Sequence, residues 1–150
     1  MLHYSVFWME EEFSRHYFYR SEILYRFFNE WMDSPRNKAC RSQFNYVTRK
    51  LPAAKIIAHL RSASTGTVQR QQDEWLIQSD KQQIKCKIAG RSIEVDCEFH
   101  DQIENLLFQP LRQFHHSFFA METNKGNYGW VSVEGKRTST LNHQLLYSFH

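Results

Sequence analysis

The sequence predicts an α+β fold, a mostly antiparallel sheet of about five strands packed against helices. Two stretches carry most of that reading. In "QQIKCKIAGRSIEVDCEF" (82–99), Ile84, Cys86 and Ile88 alternate with polar residues. A turn falls at Ala89-Gly90-Arg91, and Ile93, Val95 and Cys97 resume the alternation, which is the pattern of a hairpin. In "SEILYRFFNEW" (21–31), Ile23, Leu24, Phe27, Phe28 and Trp31 recur at three- and four-residue steps, the stripe of a helix that buries one face. Hairpins following a run of helices place helices against an antiparallel sheet.

The remaining elements fit around these two. "LHYSVFW" (2–8) is rich in aromatic and β-branched residues and reads as a first strand. Glu10, Glu11 and Glu12 suit the positive end of a helix dipole, so a short helix is expected to begin there. Ser21 with Glu22 is expected to cap the second helix. "DSPRN" (33–37) ends it, with Ser34 as cap and Pro35 opening the next. Residues 36–50 read weakly as a helix carrying Cys40, Phe44 and Val47, and "PAAKIIAHL" (52–60) more clearly as one. "SASTGT" (62–67) reads as a loop and "EWLIQ" (74–78) as a strand. "DQIENLLFQPLRQFHHS" (101–117) is amphipathic, with Pro110 bending or dividing it. "FFAMET", "NKGN" and "YGWVSV" (118–133) form a second hairpin. No linker, repeat or change of composition divides the 150 residues, so a single domain is expected, with the tail from about 135 unassigned.

Composition excludes several classes of function. The chain is 41% hydrophobic and 23% charged, and too rich in aromatics for a chain that stays disordered. It has no apolar run of membrane-spanning length and no signal-peptide pattern. Cys40, Cys86 and Cys97 form neither an even set nor a CxxC pair, which fits reduced thiols in a cytoplasmic protein. Cys86 and Cys97 are candidates to face each other across the hairpin, with buried thiols as the plainer reading.

The sequence carries no phosphate-cradling glycine loop and no nucleophile elbow. "NKGNYG" joins two strands and opens no helix, so it reads as a turn. Adjacent His115 and His116 point roughly 100° apart on a helix and have no histidine partner at three or four residues, so no metal site is expected. Nor is a cofactor. From Ser34 to Gln72 there is no acidic residue, while Arg36, Lys38, Arg41, Arg49, Lys50, Lys55, Arg61 and Arg70 are present. A basic face of this kind fits nucleic-acid phosphates, but its aromatics are few and it lacks a reader motif. A solvated face, or one meeting an acidic protein, accounts for it more simply.

The first helix holds the best functional hint. Phe13 and Tyr17 lie four apart on one face, the spacing of an aromatic interaction anchor, although core packing explains them equally well. Phe7, Phe18, Ile23 and Leu24 suit the core better.

"EEFSRHYFYRSEIL" (11–24) and "FFAMETNKGNYGWVSV" (118–133) resemble the sporulation inhibitor of replication proteins, the SirA family. The shared pattern is E-E-F-x-x-H-Y-F-x-R, here Glu11, Glu12, Phe13, His16, Tyr17, Phe18 and Arg20. Near the end comes F-x-A-M-x-x-N and then Y-G-W, here Phe119, Met121, Asn124, Tyr128, Gly129 and Trp130. The resemblance implies a non-enzymatic cytoplasmic protein that binds the N-terminal domain of the replication initiator DnaA and blocks new rounds of initiation during sporulation. It also implies that the partner-facing residues are Phe13 and Tyr17, together with Gln43 and Tyr46 of "QFNY". Nearby Arg15, Arg41 and Arg49 would speed association with an acidic surface. The alternative is a nucleic-acid-binding protein that uses the basic stretch 36–70.

Overall fold

Strand β1 (Leu2–Trp8) runs near the middle of a seven-stranded antiparallel sheet ordered β2-β3-β4-β5-β1-β6-β7. The chain is represented by a computed structural model, which describes residues 1–63, 66–123 and 126–132. Residues 64 and 65 of the 62–67 loop, 124 and 125 of the 124–127 turn, and the tail from 133 lie outside them. Three helices follow β1: α1 (Glu11–His16), α2 (Ser21–Asp33) and α3 (Lys38–Val47). Then come α4 (Ala53–Ala63) and the meander β2 (Thr67–Gln71), β3 (Glu74–Ser79), β4 (Gln82–Ala89) and β5 (Ser92–Cys97). Helix α5 (His100–Ile103) passes through a π-helical turn (Glu104–Phe108) into α6 (Gln109–Phe114). Strands β6 (Phe118–Glu122) and β7 (Tyr128–Trp130) complete the sheet.

The α+β expectation holds, but the strands number seven, not about five. The strand left unseen was β2. Only Val68 of its five residues is buried, as suits the edge of a sheet, so the chain shows no alternation there to read. Its approach demands Gly66, where a Cβ would sit 1.7 Å from the Gln78 carbonyl oxygen. Two-residue turns join β2 through β5, and the first turn residue of each, Gln72, Asp80 and Gly90, has positive φ.

Two helix starts differ from expectation. Helix α3 begins after Asn37, whose side-chain oxygen accepts from the Cys40 N–H, and Ser34 and Pro35 belong to the preceding turn. Ser21 is the first residue of α2 and buried, with Arg20 at the cap position. The π-helical turn delivers the chain to Pro110, which has no N–H for the turn before it, so the long amphipathic stretch is reshaped rather than broken. Cys86 lies opposite Val95, and Cys97 opposite Leu2 on the other neighbouring strand, so the two thiols do not face each other. Burial pushes both up to about 12, which leaves them protonated and unreactive.

The sheet has a core on each side. Tyr4, Val6 and Trp8 of β1 join Val95, Phe118 and the helices α4 to α6 in one. Phe7 and Met9 point the other way, into a second core with Phe28, Phe44, Phe119, Met121 and Trp130, under α2 and α3. Phe28 stacks on Phe7 with ring centroids 4.1 Å apart and planes 6° from parallel, and also packs on Phe119 and Phe44. The other end of this β1 face is polar. His3 shares its two ring nitrogens between Glu94 and Asp96, each at 2.8 Å, and Ser5 donates to Glu94.

Two predictions concern this framework. Phe28 is fully buried, so Phe28→Ala should cost about 3–5 kcal/mol of unfolding free energy in urea titrations. Burial opposes a charge on His3, but the hydrogen bonds it donates to Asp96 and Glu94, with their negative charges, outweigh it and raise its pKa above the ordinary 6.5. A raised folded pKa contributes stability that is complete below about pH 6.5 and lost as pH climbs through the folded value. The stability gap between the wild type and His3→Gln should therefore be wide near pH 6 and narrow near pH 9, as read by urea unfolding at each pH.

Candidate functional site

The stripe on α2 is wider than the core it covers. Leu24 and Phe28 are buried, but Ile23, Phe27 and Trp31 along its edges remain half exposed. Ile23 was expected in the core. It sits instead with Phe27, one helical turn on, in the wall of an apolar groove of about 330 Å³. The groove is completed by Phe13 and Tyr17 from the end of α1, and by Gln43, Tyr46 and Val47 from α3, with Leu24 at its base.

The four residues singled out from the sequence thus line one groove, although thirty residues separate the two pairs. The Phe13 and Tyr17 rings lie nearly parallel, their centroids 6.5 Å apart, and Tyr46 meets Phe13 edge-on at 5.4 Å. Phe13 and Tyr17 are half-buried, while Tyr46 is 70% exposed. Few other large apolar residues stand so far out: among the described residues only Met1, Tyr19 and Phe99 join Tyr46 in the exposed class. Gln43 and Tyr46 fall three apart on α3 and so share one of its sides. The groove therefore combines an apolar floor with an amide and two phenol hydroxyls.

Its walls are held by the aromatic core beneath. Trp31 stacks on Phe44 at 3.8 Å between α2 and α3. Trp130 donates its indole N–H to the Phe18 carbonyl at 2.9 Å and stacks on the Phe18 ring at 5.7 Å, which fixes the link between α1 and α2. Tyr25 stacks on Tyr128 at 4.3 Å. The two motif-bearing segments, 11–24 and 118–133, meet at the Phe18–Trp130 contact.

The basic stretch 36–70 is spread over several elements. Arg36, Lys38 and Arg41 lie on α3 or just before it, Arg49, Lys50 and Lys55 surround a separate cleft, and Arg61 and Arg70 both approach the Trp75 ring. Arg49 was expected beside the aromatic patch. It instead lies over Trp8, 3.9 Å from the ring centre, and lines that cleft. Arg15 and Arg41 are exposed on the helices that carry the groove. His115 has its pKa lowered by burial and by His116 and Arg49. The carboxylate that meets this histidine pair is exposed Glu11, 3.8 Å from His116 Nε2. Among the described residues no group of three His, Cys, Asp or Glu side chains is placed to hold a metal ion, and no helix is long and apolar enough to cross a membrane.

What the sequence did not single out is the α2 contribution, Ile23 and Phe27, and Val47 of α3. Five large apolar residues on a 13-residue helix exceed one narrow seam, and that excess was the available signal.

Comparison with known proteins matches the chain to one family. The chain is 24% identical over 142 residues to the sporulation inhibitor of replication protein SirA of Bacillus subtilis strain 168, a match covering 90% of this chain and 96% of that protein. The model of the family described as sporulation inhibitor of replication protein SirA matches residues 2–133, from the start of β1 past the end of β7, and the protein belongs to that family.

Proposed function

We propose that the protein inhibits the initiation of chromosome replication during sporulation by binding the N-terminal domain of the initiator DnaA through the Phe13–Tyr46 groove. Membership of a family of sporulation inhibitors of replication supports the process. The observation that carries the site is the convergence of Phe13, Tyr17, Gln43 and Tyr46 on one open apolar groove, with Tyr46 left largely in solvent above a closed aromatic core. A ring pair backed by a rigid core is a low-entropy anchor, because little side-chain freedom remains to be lost on contact. The amide of Gln43 and the hydroxyls of Tyr17 and Tyr46 supply directional bonds at the rim. Occupancy of the partner's surface is sufficient for inhibition, so no cofactor or covalent step is required. The reading places the protein in the cytoplasm, where the initiator works.

Calorimetric titration of the purified chain against the isolated DnaA N-terminal domain tests the proposal. Phe13→Ala and Tyr46→Ala should each weaken binding by about thirtyfold or more, the loss of a roughly 2 kcal/mol anchor. Tyr46→Ala removes an exposed ring and should leave the urea midpoint of the chain almost unchanged, within about 0.5 kcal/mol. Wild-type affinity in both variants, or no binding by the parent chain, would overturn the assignment.

A further inference from the structure

A second depression, of about 550 Å³, shares no lining residue with the groove. It lies where the end of β1, the Arg49–Pro52 link, the first turn of α4 and the end of α6 meet. Its lining is of two kinds. Trp8, Leu51, Pro52 and Phe114 are apolar, and Arg49, Lys50, Lys55 and His115 are basic or weakly so.

The charge here is uncompensated. Among the described residues no carboxylate lies within ion-pair distance of Arg49, Lys50 or Lys55. The first turn of α4, which opens on the same cleft, contains no acidic residue, so its free N–H groups add to the positive potential. Glu10, Glu11 and Glu12 open α1 nearby, and Glu11 faces His116 rather than these cations. The Arg49 guanidinium is already laid flat on Trp8 and its backbone N–H is bonded to the Trp8 carbonyl, so this cation is pre-positioned rather than free to sweep. Trp8 itself is 6% exposed, and its indole N–H has no acceptor.

Three cations and a helix start around a cleft without a paired carboxylate call for an anion. The half-buried Phe114 ring and Pro52 beside them offer a flat apolar surface, and the volume falls in the range of small-molecule sites. We infer that this cleft binds a nucleotide, with its phosphates on Arg49, Lys50, Lys55 and the start of α4, and its base against Phe114 and Pro52. Phosphate is favoured over a carboxylate because it offers more acceptor oxygens to a cluster of separate donors.

The test is titration of the full chain with ATP at low salt, followed by calorimetry and by the amide and indole signals of its 15N spectrum. ATP should move the amides of 49–55 and 114–116 and the Trp8 indole signal. Lys55→Gln, on an exposed side chain, and Arg49→Gln should each weaken ATP by about tenfold, while Lys38→Gln, outside the cleft, should not. Inorganic phosphate should bind more weakly than ATP at the same residues. The inference fails if millimolar ATP leaves these signals in place, or if Lys38→Gln weakens ATP as much as Lys55→Gln does. It fails equally if inorganic phosphate binds as tightly as ATP, or if poly-glutamate binds there more tightly than ATP.

Discussion

Strand β1 has to bury both of its faces at once, and the rest of the molecule is arranged to let it. Its even positions, Tyr4, Val6 and Trp8, belong to one core, and Phe7 with Met9 belongs to the other. Its neighbours β5 and β6 take up its hydrogen bonds on either side. A half-buried strand needs one layer of helices, whereas this one needs two, and the chain supplies α1 to α3 for one face and α4 to α6 for the other. Where the helices stop, at the His3 end, the strand turns polar and His3 and Ser5 bond to Glu94 and Asp96. The aromatic density of the first thirty residues follows from this demand, because β1 and the helix packed on it both draw from that stretch.

The groove is a by-product of the same arrangement. Helix α2 must cover Phe7 and Phe119 with Phe28, and its neighbour α3 must meet it through Trp31 and Phe44. The two helices meet through those rings, and the short α1 with the residue after it brings Phe13 and Tyr17 beside them. Ile23, Phe27 and Val47 then remain half exposed, with Phe13, Tyr17 and Tyr46 around them. An apolar rim on a closed core is where a partner gains area without requiring the protein to reorganise.

Much of this was legible because the periodicity was strong. The 82–99 hairpin alternates cleanly, and the stripe of α2 repeats at helical steps, so both appear in the structure close to where the residues put them. β2 was not legible, since a five-residue edge strand with one buried side chain carries no alternation. The cap of α3 was misplaced because Ser34 and Asn37 are both good caps, and the choice between them rests on where the turn at Pro35 leaves the chain. Within the groove, Phe13 and Tyr17 stood out by spacing. Gln43 and Tyr46 came only from the resemblance, because a glutamine and a tyrosine on a weak helix give no physical signal of their own. That Ile23 faces the groove depends on how far α2 is rotated over the sheet, which pattern alone leaves open by one residue either way.

The segment joining the two depressions explains why both are already formed. Val47 lines the groove and Arg49 lines the cleft, with Thr48 fully buried between them. Thr48 pairs with Met9 as an isolated bridge, Glu10 N–H donates to the Val47 carbonyl, and Arg49 N–H donates to Trp8. Arg91 then donates to the Thr48 carbonyl from the β4–β5 turn, and the Thr48 hydroxyl donates back to Phe44. These bonds stitch the end of α3 to the end of β1, so Tyr46 and Arg49 are carried by one short piece of chain fixed to the central strand. Val47 ends helix α3 and Thr48 begins an extended link, so this short piece borders the apolar groove at one end and the basic cleft at the other. Rigidity at Thr48 holds both geometries, since displacing it would expose a buried hydroxyl and break contacts with β1 at the same time.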